Sequence, residues 1–157
     1  MANLIETVYF SDSNILRELV IDWITDDIAI GNYREAQDLS LLRQYGFRSV
    51  LGLDGASRPD NAATLGLATV VSILLEDGPG NDPRRFRHAV DSLGRLFVTH
   101  SPVLVHCHAG RSRSVIVVAG FLMLEEDLSP AQALARVGTK RDICVTAGLE
   151  SLLQTLR

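Results

Sequence analysis

Val103-Leu104-Val105-His106-Cys107-His108-Ala109-Gly110-Arg111-Ser112-Arg113-Ser114 is the stretch on which the fold turns. Its first residues are a short apolar run, the pattern of a buried strand, and the almost wholly apolar run that follows, Val115 to Leu124, reads as a buried helix. Between them lies a tight strand-to-helix turn. Such a turn is a natural anion site, because its N–H groups point into the loop and the helix behind adds the positive end of its dipole. Gly110 permits a positive φ or a close backbone approach there. Cys107 stands at the strand end and Arg113 enters the helix, so one loop presents a thiol and a guanidinium to a single oxyanion. The planar fork of an arginine matches two phosphate oxygens.

His106-Cys107, Gly110 and Arg113-Ser114 resemble the signature of the cysteine-dependent protein tyrosine phosphatase superfamily: His-Cys, five residues including the Gly, Arg, then Ser or Thr. Ile28-Ala29-Ile30-Gly31-Asn32, Ala119-Gly120-Phe121-Leu122-Met123, and the run from Ser129 through Val137 to Arg141 are similar to its dual-specificity branch. The likeness covers roughly residues 22 to 157. One departure is Val145-Thr146-Ala147, where the family often has Pro-Asn.

The resemblance agrees with the alternation of strands and helices along the chain, which suggests an α/β fold with a largely parallel central sheet flanked by helices. It also implies hydrolysis of phosphomonoesters through a phosphocysteine. Cys107 is the expected nucleophile, since loop amides, the helix terminus and Arg113 all favour a thiolate. His108, Ala109, Gly110, Arg111, Ser112 and Arg113 are the expected phosphate-binding loop. Ser114 is expected to donate a hydrogen bond toward the sulfur and to assist phosphocysteine breakdown, and His106 to orient the loop. No cofactor and no metal are implied.

A general acid must reach over the bound phosphate from another loop. In an open α/β sheet, loops at the carboxyl ends of neighbouring strands share one crevice. Asp77 follows the apolar run Ala68–Leu75 and is the favoured candidate. Asp82 is the rival, but Pro83 after it makes it the better helix N-cap; Glu76 comes third.

The expected substrate is a phosphorylated protein, with phosphotyrosine and phosphoserine or phosphothreonine both accepted. The alternative is a phospholipid, a phosphoinositide or phosphatidylglycerophosphate, because His108 and Arg111 add positive charge to the loop and Cys-x-Ala-Gly-Arg-Ser-Arg-Ser resembles the phosphatidylglycerophosphate phosphatase type. For that to hold, Arg111 must face the pocket rather than pair with an acidic neighbour. A phosphate-binding pseudoenzyme and a rhodanese-like sulfurtransferase are the remaining readings. The first class typically lacks the nucleophile, which Cys107 supplies here, and the second lacks the His-Cys to Arg-Ser pattern with an upstream acid.

Elsewhere the chain reads as one domain, 1–157, with 1–14 an arm or edge strand. Strands are expected at Glu18–Ile24, Asp27–Ile30, Ser49–Leu53 and Ala68–Leu75, with Trp23 in the core. Helices are expected from Arg34 to Tyr45, with Ala36, Leu39, Leu42 and Tyr45 inward, and from Pro83 to about His100. Ser129-Pro130-Ala131-Gln132 has the capping-box form, and Thr146 is the expected cap of a last helix that buries Leu149, Leu152, Leu153 and Leu156.

The composition is that of a globular chain, at 46% hydrophobic and 22% charged residues. A net charge of −4 argues against general nucleic-acid binding. There is no Walker loop and no Gly-x-Gly-x-x-Gly, which counts against a kinase or dehydrogenase. Two cysteines, Cys107 and Cys144, fit a reducing compartment, with Cys144 read as a buried structural thiol and, as the alternative, a trap for oxidised Cys107. The start, Met-Ala-Asn-Leu-Ile-Glu, lacks signal-peptide blocks. Val115–Leu124 is about half of the ~20 residues a bilayer span needs, so no transmembrane segment is expected. A monomer in the cytoplasm is the expectation.

Overall fold

The computed structural model describes residues 21–157. The arm or edge strand expected at 1–14 lies outside the described residues, as do residues 18–20 of the first expected strand.

Among the described residues five strands form one sheet: β1 (Asp22–Trp23), β2 (Ile28–Gly31), β3 (Ser49–Gly52), β4 (Thr69–Ser72) and β5 (Val103–His106), in the order β1-β2-β5-β3-β4. Only the β1–β2 pair is antiparallel; β2–β5, β5–β3 and β3–β4 are parallel. The largely parallel α/β fold expected from the sequence is therefore present. Because β5 is central, both its faces are covered, which is why it reads as a continuous apolar run. Val103 and Val105 face one core cluster while Leu104 faces the other, as the two-residue repeat of a strand requires. The same alternation places Ile28 and Ile30 opposite Ala29.

The helices are α1 (Leu39–Gln44), α2 (Pro83–Thr99), α3 (Arg113–Glu126) and α4 (Pro130–Gly138), followed by a 3-10 helix at Glu150–Leu156. Every residue from Ser114 to Met123 on α3 is buried, so this helix is the axle of the larger core. A methyl at Gly120 would lie 2.9 Å from Leu156 and from Val90, and its absence lets α2 and the last helix close on α3. Asp82 caps α2 with Pro83 at its first position, and Ser129 and Gln132 form the capping box of α4.

Four expectations need correction. The helix expected over Arg34–Tyr45 is broken into a 3-10 turn, Glu35–Gln37, and α1, because Asp38 takes an extended backbone and its carboxylate caps the Leu41 N–H. The restart turns Leu41 and Leu42 inward and leaves Leu39 and Tyr45 at 37% and 43% exposure. Trp23 is half-buried, stacked at 5.0 Å on Phe47 at the margin of the smaller cluster. The last helix is 3-10 with Leu149 at its N-cap, while Thr146 is bonded elsewhere. Its buried residues, Leu149, Leu152, Leu153 and Leu156, are those expected. Finally, Cys144 is exposed rather than buried.

Candidate active site

At the carboxyl end of β5 the chain leaves the sheet at Cys107, turns, and enters α3 at Arg113. Four successive carbonyls of this turn, those of residues 108–111, are engaged from outside it. His108 O accepts from Tyr33 N–H at 3.1 Å and Arg111 O from Cys144 N–H at 2.8 Å. Ala109 O and Gly110 O accept from the Arg141 guanidinium, at 3.4 Å and 2.5 Å. A trans peptide points its N–H opposite its C=O. Four outward carbonyls in succession therefore turn the N–H groups of Ala109, Gly110, Arg111 and Ser112 inward, forming an anion nest at the positive end of α3. Gly110 has φ +71°, and a Cβ there would strike the Gly31 carbonyl.

Cys107 is buried beneath the nest with its sulfur 3.3 Å from Ser114 Oγ. Arg113 is half-buried; its Nη1 donates to Leu75 O at 3.0 Å, and its buried Nε has no hydrogen-bond partner. A buried N–H of that kind is costly unless something accepts from it, and an anion in the nest would do so.

His106 is fully buried beside the loop. Its Nδ1 lies 3.0 Å from Cys107 O, which can only accept, so Nδ1 carries the proton and Nε2 accepts from the Ser57 hydroxyl at 2.5 Å. Burial pushes the imidazole below its ordinary value, so it is held neutral. The strand beside it must be bare, since a Cβ on Gly52 would sit 2.6 Å from Nε2.

Over the nest opens a cavity of about 270 Å3. Cys107, Ala109, Ser112 and Arg113 form its floor and side; His108, Arg111, Asp77, Cys144 and Thr146 complete it. Of the candidate acids, Asp77 alone lines this cavity. Asp82 accepts from Arg84 N–H, which holds its carboxyl below the usual carboxylate range, and Glu76 belongs to an exposed turn closed by Asn81. Arg111 both lines the cavity and pairs with Asp142 at 2.6 Å, so its charge is shared with a carboxylate at the rim. The exposed His108 stacks on Tyr33 with ring centroids 4.6 Å apart. A larger groove of about 480 Å3, between α2 and α3, holds neither cysteine nor histidine.

Three contributors had no role at the loop assigned from the sequence: Arg141, which entered only as the end of the run resembling the dual-specificity branch, Thr146, which read as a helix cap, and Ser57. Arg141 is nearly buried, and besides holding Ala109 and Gly110 it bonds Ile30 O and the Asp22 carboxylate. The sequence signal for it is the run from Ser129 through Val137 to Arg141, and that signal does not say which carbonyls the guanidinium meets. Among the described residues no three His, Cys, Asp or Glu side chains gather to hold a metal ion, and no helix is long and apolar enough to cross a membrane.

Residues 28–156 match the family model of the dual specificity phosphatase catalytic domain. Dual specificity protein phosphatase 1 of Arabidopsis thaliana is 30% identical over 85% of this chain and 67% of its own length. Dual specificity protein phosphatase 13B of Homo sapiens is 32% identical over 87% of this chain and 72% of its own. The match to Drosophila melanogaster phosphatase MPK-4 spans only 36% of that relative. Among solved structures, Tk-PTP in its active form superposes with a TM-score of 0.70 at 22% identity, over 89% of this chain and 95% of that one, a likeness of fold.

Proposed function

The chain belongs to the dual specificity phosphatase family, with the catalytic domain over residues 28–156, and we propose that it dephosphorylates tyrosine and serine or threonine in proteins with Cys107 as nucleophile and Asp77 as general acid. The observation that carries this reading is the nest itself. Four outward-bonded carbonyls turn their N–H groups inward over a buried sulfur, and Arg113, whose buried Nε has no partner, lines the same cavity. That donor set fits the equatorial oxygens of a phosphoryl group, whose transfer depends on positioning and charge stabilisation.

In the first step the Cys107 thiolate attacks phosphorus, the bond to the ester oxygen breaks, and the Asp77 carboxylic acid gives its proton to the leaving oxygen. In the second, water attacks phosphorus, the S–P bond breaks, the electron pair returns to sulfur, and the Asp77 carboxylate takes the water proton. Ser114 Oγ, 3.3 Å from the sulfur, stabilises the thiolate as it leaves. Arg113 and the nest follow the oxygens through both steps. His106 and Arg141 do not touch the substrate; they hold the loop that does.

The pairing of Arg111 with Asp142 supports a protein substrate over a polyanionic lipid, because the loop's extra cation is already partnered. The test is Cys107→Ser, assayed on phosphotyrosine and phosphothreonine peptides. The fold should persist and turnover vanish on both, since nothing beside the hydroxyl serves as its base. Retained turnover would assign the chemistry to another nucleophile.

A further inference from the structure

We propose that Thr146 positions the water that hydrolyses the phosphocysteine, an inference that rests on the assignment of Cys107 and Asp77 above. A hydroxyl has one proton to give and two lone pairs to offer. The Ser112 hydroxyl donates to Thr146 Oγ1 at 3.1 Å, and Ser112 Oγ accepts in return from the Thr146 N–H at 2.9 Å. That reciprocal pair fills one lone pair of Thr146 and leaves its own O–H without an acceptor among the described residues. The side chain is half-buried and lines the cavity that holds Cys107 and Asp77. An unspent donor in such a place is a seat for an oxygen.

Further contacts set the wall of the cavity on which Thr146 stands. The segment after α4 is tied along the outside of the phosphate-binding loop by Cys144 N–H to Arg111 O and by Thr146 N–H to Ser112 Oγ. It then closes on the loop carrying Asp77. Gly148, at φ +95°, lies so near that a Cβ there would be 2.9 Å from Pro79 Cα. Thr146 and Asp77 thus come from adjoining walls of one cavity.

The hydrolytic step has a place for such a donor. The water oxygen uses one lone pair to form the P–O bond as the S–P bond breaks, and its departing proton passes to the Asp77 carboxylate. One lone pair remains, and the Thr146 O–H fills it, directing the other at phosphorus. Formation of the phosphocysteine uses no water. With an activated aryl phosphate the leaving oxygen of that first step needs little help.

The experiment is steady-state and rapid-quench kinetics on an activated aryl phosphate for the wild type, Thr146→Val and Thr146→Ser. Val keeps the shape and the N–H but removes the hydroxyl. It should lower kcat about tenfold, as for one lost hydrogen bond, and leave kcat/KM within about twofold. A burst of about one equivalent of aryl alcohol should precede its slow turnover, with the phosphoryl group trapped on Cys107 by acid quench. Ser should restore the wild-type pattern. Thr146→Ala, expected to show the same split, replaces Val should that variant not fold. Equal falls in kcat and kcat/KM, or a phosphocysteine lifetime that the substitutions leave unchanged, would overturn the inference while leaving Cys107 as nucleophile. Failure to trap a phosphoryl group on Cys107 in the wild type and in every slowed Thr146 variant alike would overturn the underlying assignment as well.

Discussion

The loop after β5 and the loop after β4 face each other across one cavity and are built in opposite ways. The first, residues 108–113, is held from outside: Tyr33, Arg141 and Cys144 take its carbonyls, His106 and Ser57 support its base, and α3 continues from its end. The second, residues 76–81, is held mainly by itself. Asn81 Nδ2 donates to Glu76 O and Gly78 O while its Oδ1 accepts from Glu76 N–H, and Asp77 stands exposed. The contrast follows from the work each loop does. Charge stabilisation needs donors fixed before the reaction begins, whereas a proton donor needs only to reach the leaving oxygen, and a locally closed turn gives it that reach.

Breaking the rigid side should cost heavily whatever the leaving group. Arg113→Lys replaces the fork by a point charge, and kcat should fall about 10²–10³-fold, the usual loss for a preorganised donor. A loss under tenfold would mean that the loop amides carry the oxyanion without the guanidinium.

A smaller effect is expected at His106, and it concerns stability. Its folded value lies below the ordinary ~6.5 through burial, so the unfolded chain binds a proton that the folded chain resists. The contribution of the neutral imidazole is therefore complete above pH 6.5 and declines as pH falls from there toward the lower folded value. His106→Asn removes this titration, so the fall in melting temperature between pH 7 and pH 5 should be shallower than in the wild type. Parallel profiles would show that the ring is not held neutral.

The smallest effect belongs to Asp82, the acid outside the cavity. Asp82→Ala removes the acceptor for Arg84 N–H at the head of α2. Melting temperature should fall with turnover per folded molecule unchanged, as circular dichroism and an aryl phosphate assay would report. A leaving-group-dependent loss of rate in this variant would transfer the acid role from Asp77 to Asp82.

What the sequence disclosed divides along the same line. The rigid loop was legible because its constraints are local: an apolar strand, a Gly at a turn, an Arg opening an apolar helix, all contiguous from Val103 to Leu124. Asp77 was legible only as one of three carboxylates, since which of them faces the cavity depends on a turn that Asn81 closes by side-chain bonds. Of the supports of the loop, His106 was legible from its place beside Cys107, and the others were hidden for a different reason. Arg141 and Ser57 act across long stretches of chain, and spacing does not reveal which carbonyl or ring nitrogen a distant side chain meets. Thr146 carried a misleading local signal, reading as a helix cap while its hydroxyl is engaged by Ser112. Cys144 was misplaced because an isolated cysteine is usually buried, whereas here its backbone is tied to the rim of the loop and its side chain lines the cavity.

The division of labour between the two loops is tested most directly by the leaving-group dependence of kcat/KM, measured over a series of aryl phosphates for the wild type and Asp77→Asn. If Asp77 protonates the leaving oxygen, the wild-type dependence is shallow and the Asp77→Asn dependence steep. The two should nearly meet for the most acidic phenols and part by about 10²–10⁴-fold for the least acidic. Parallel lines would contradict the account, because a uniform loss is what disturbed binding produces and leaves the proton to another donor.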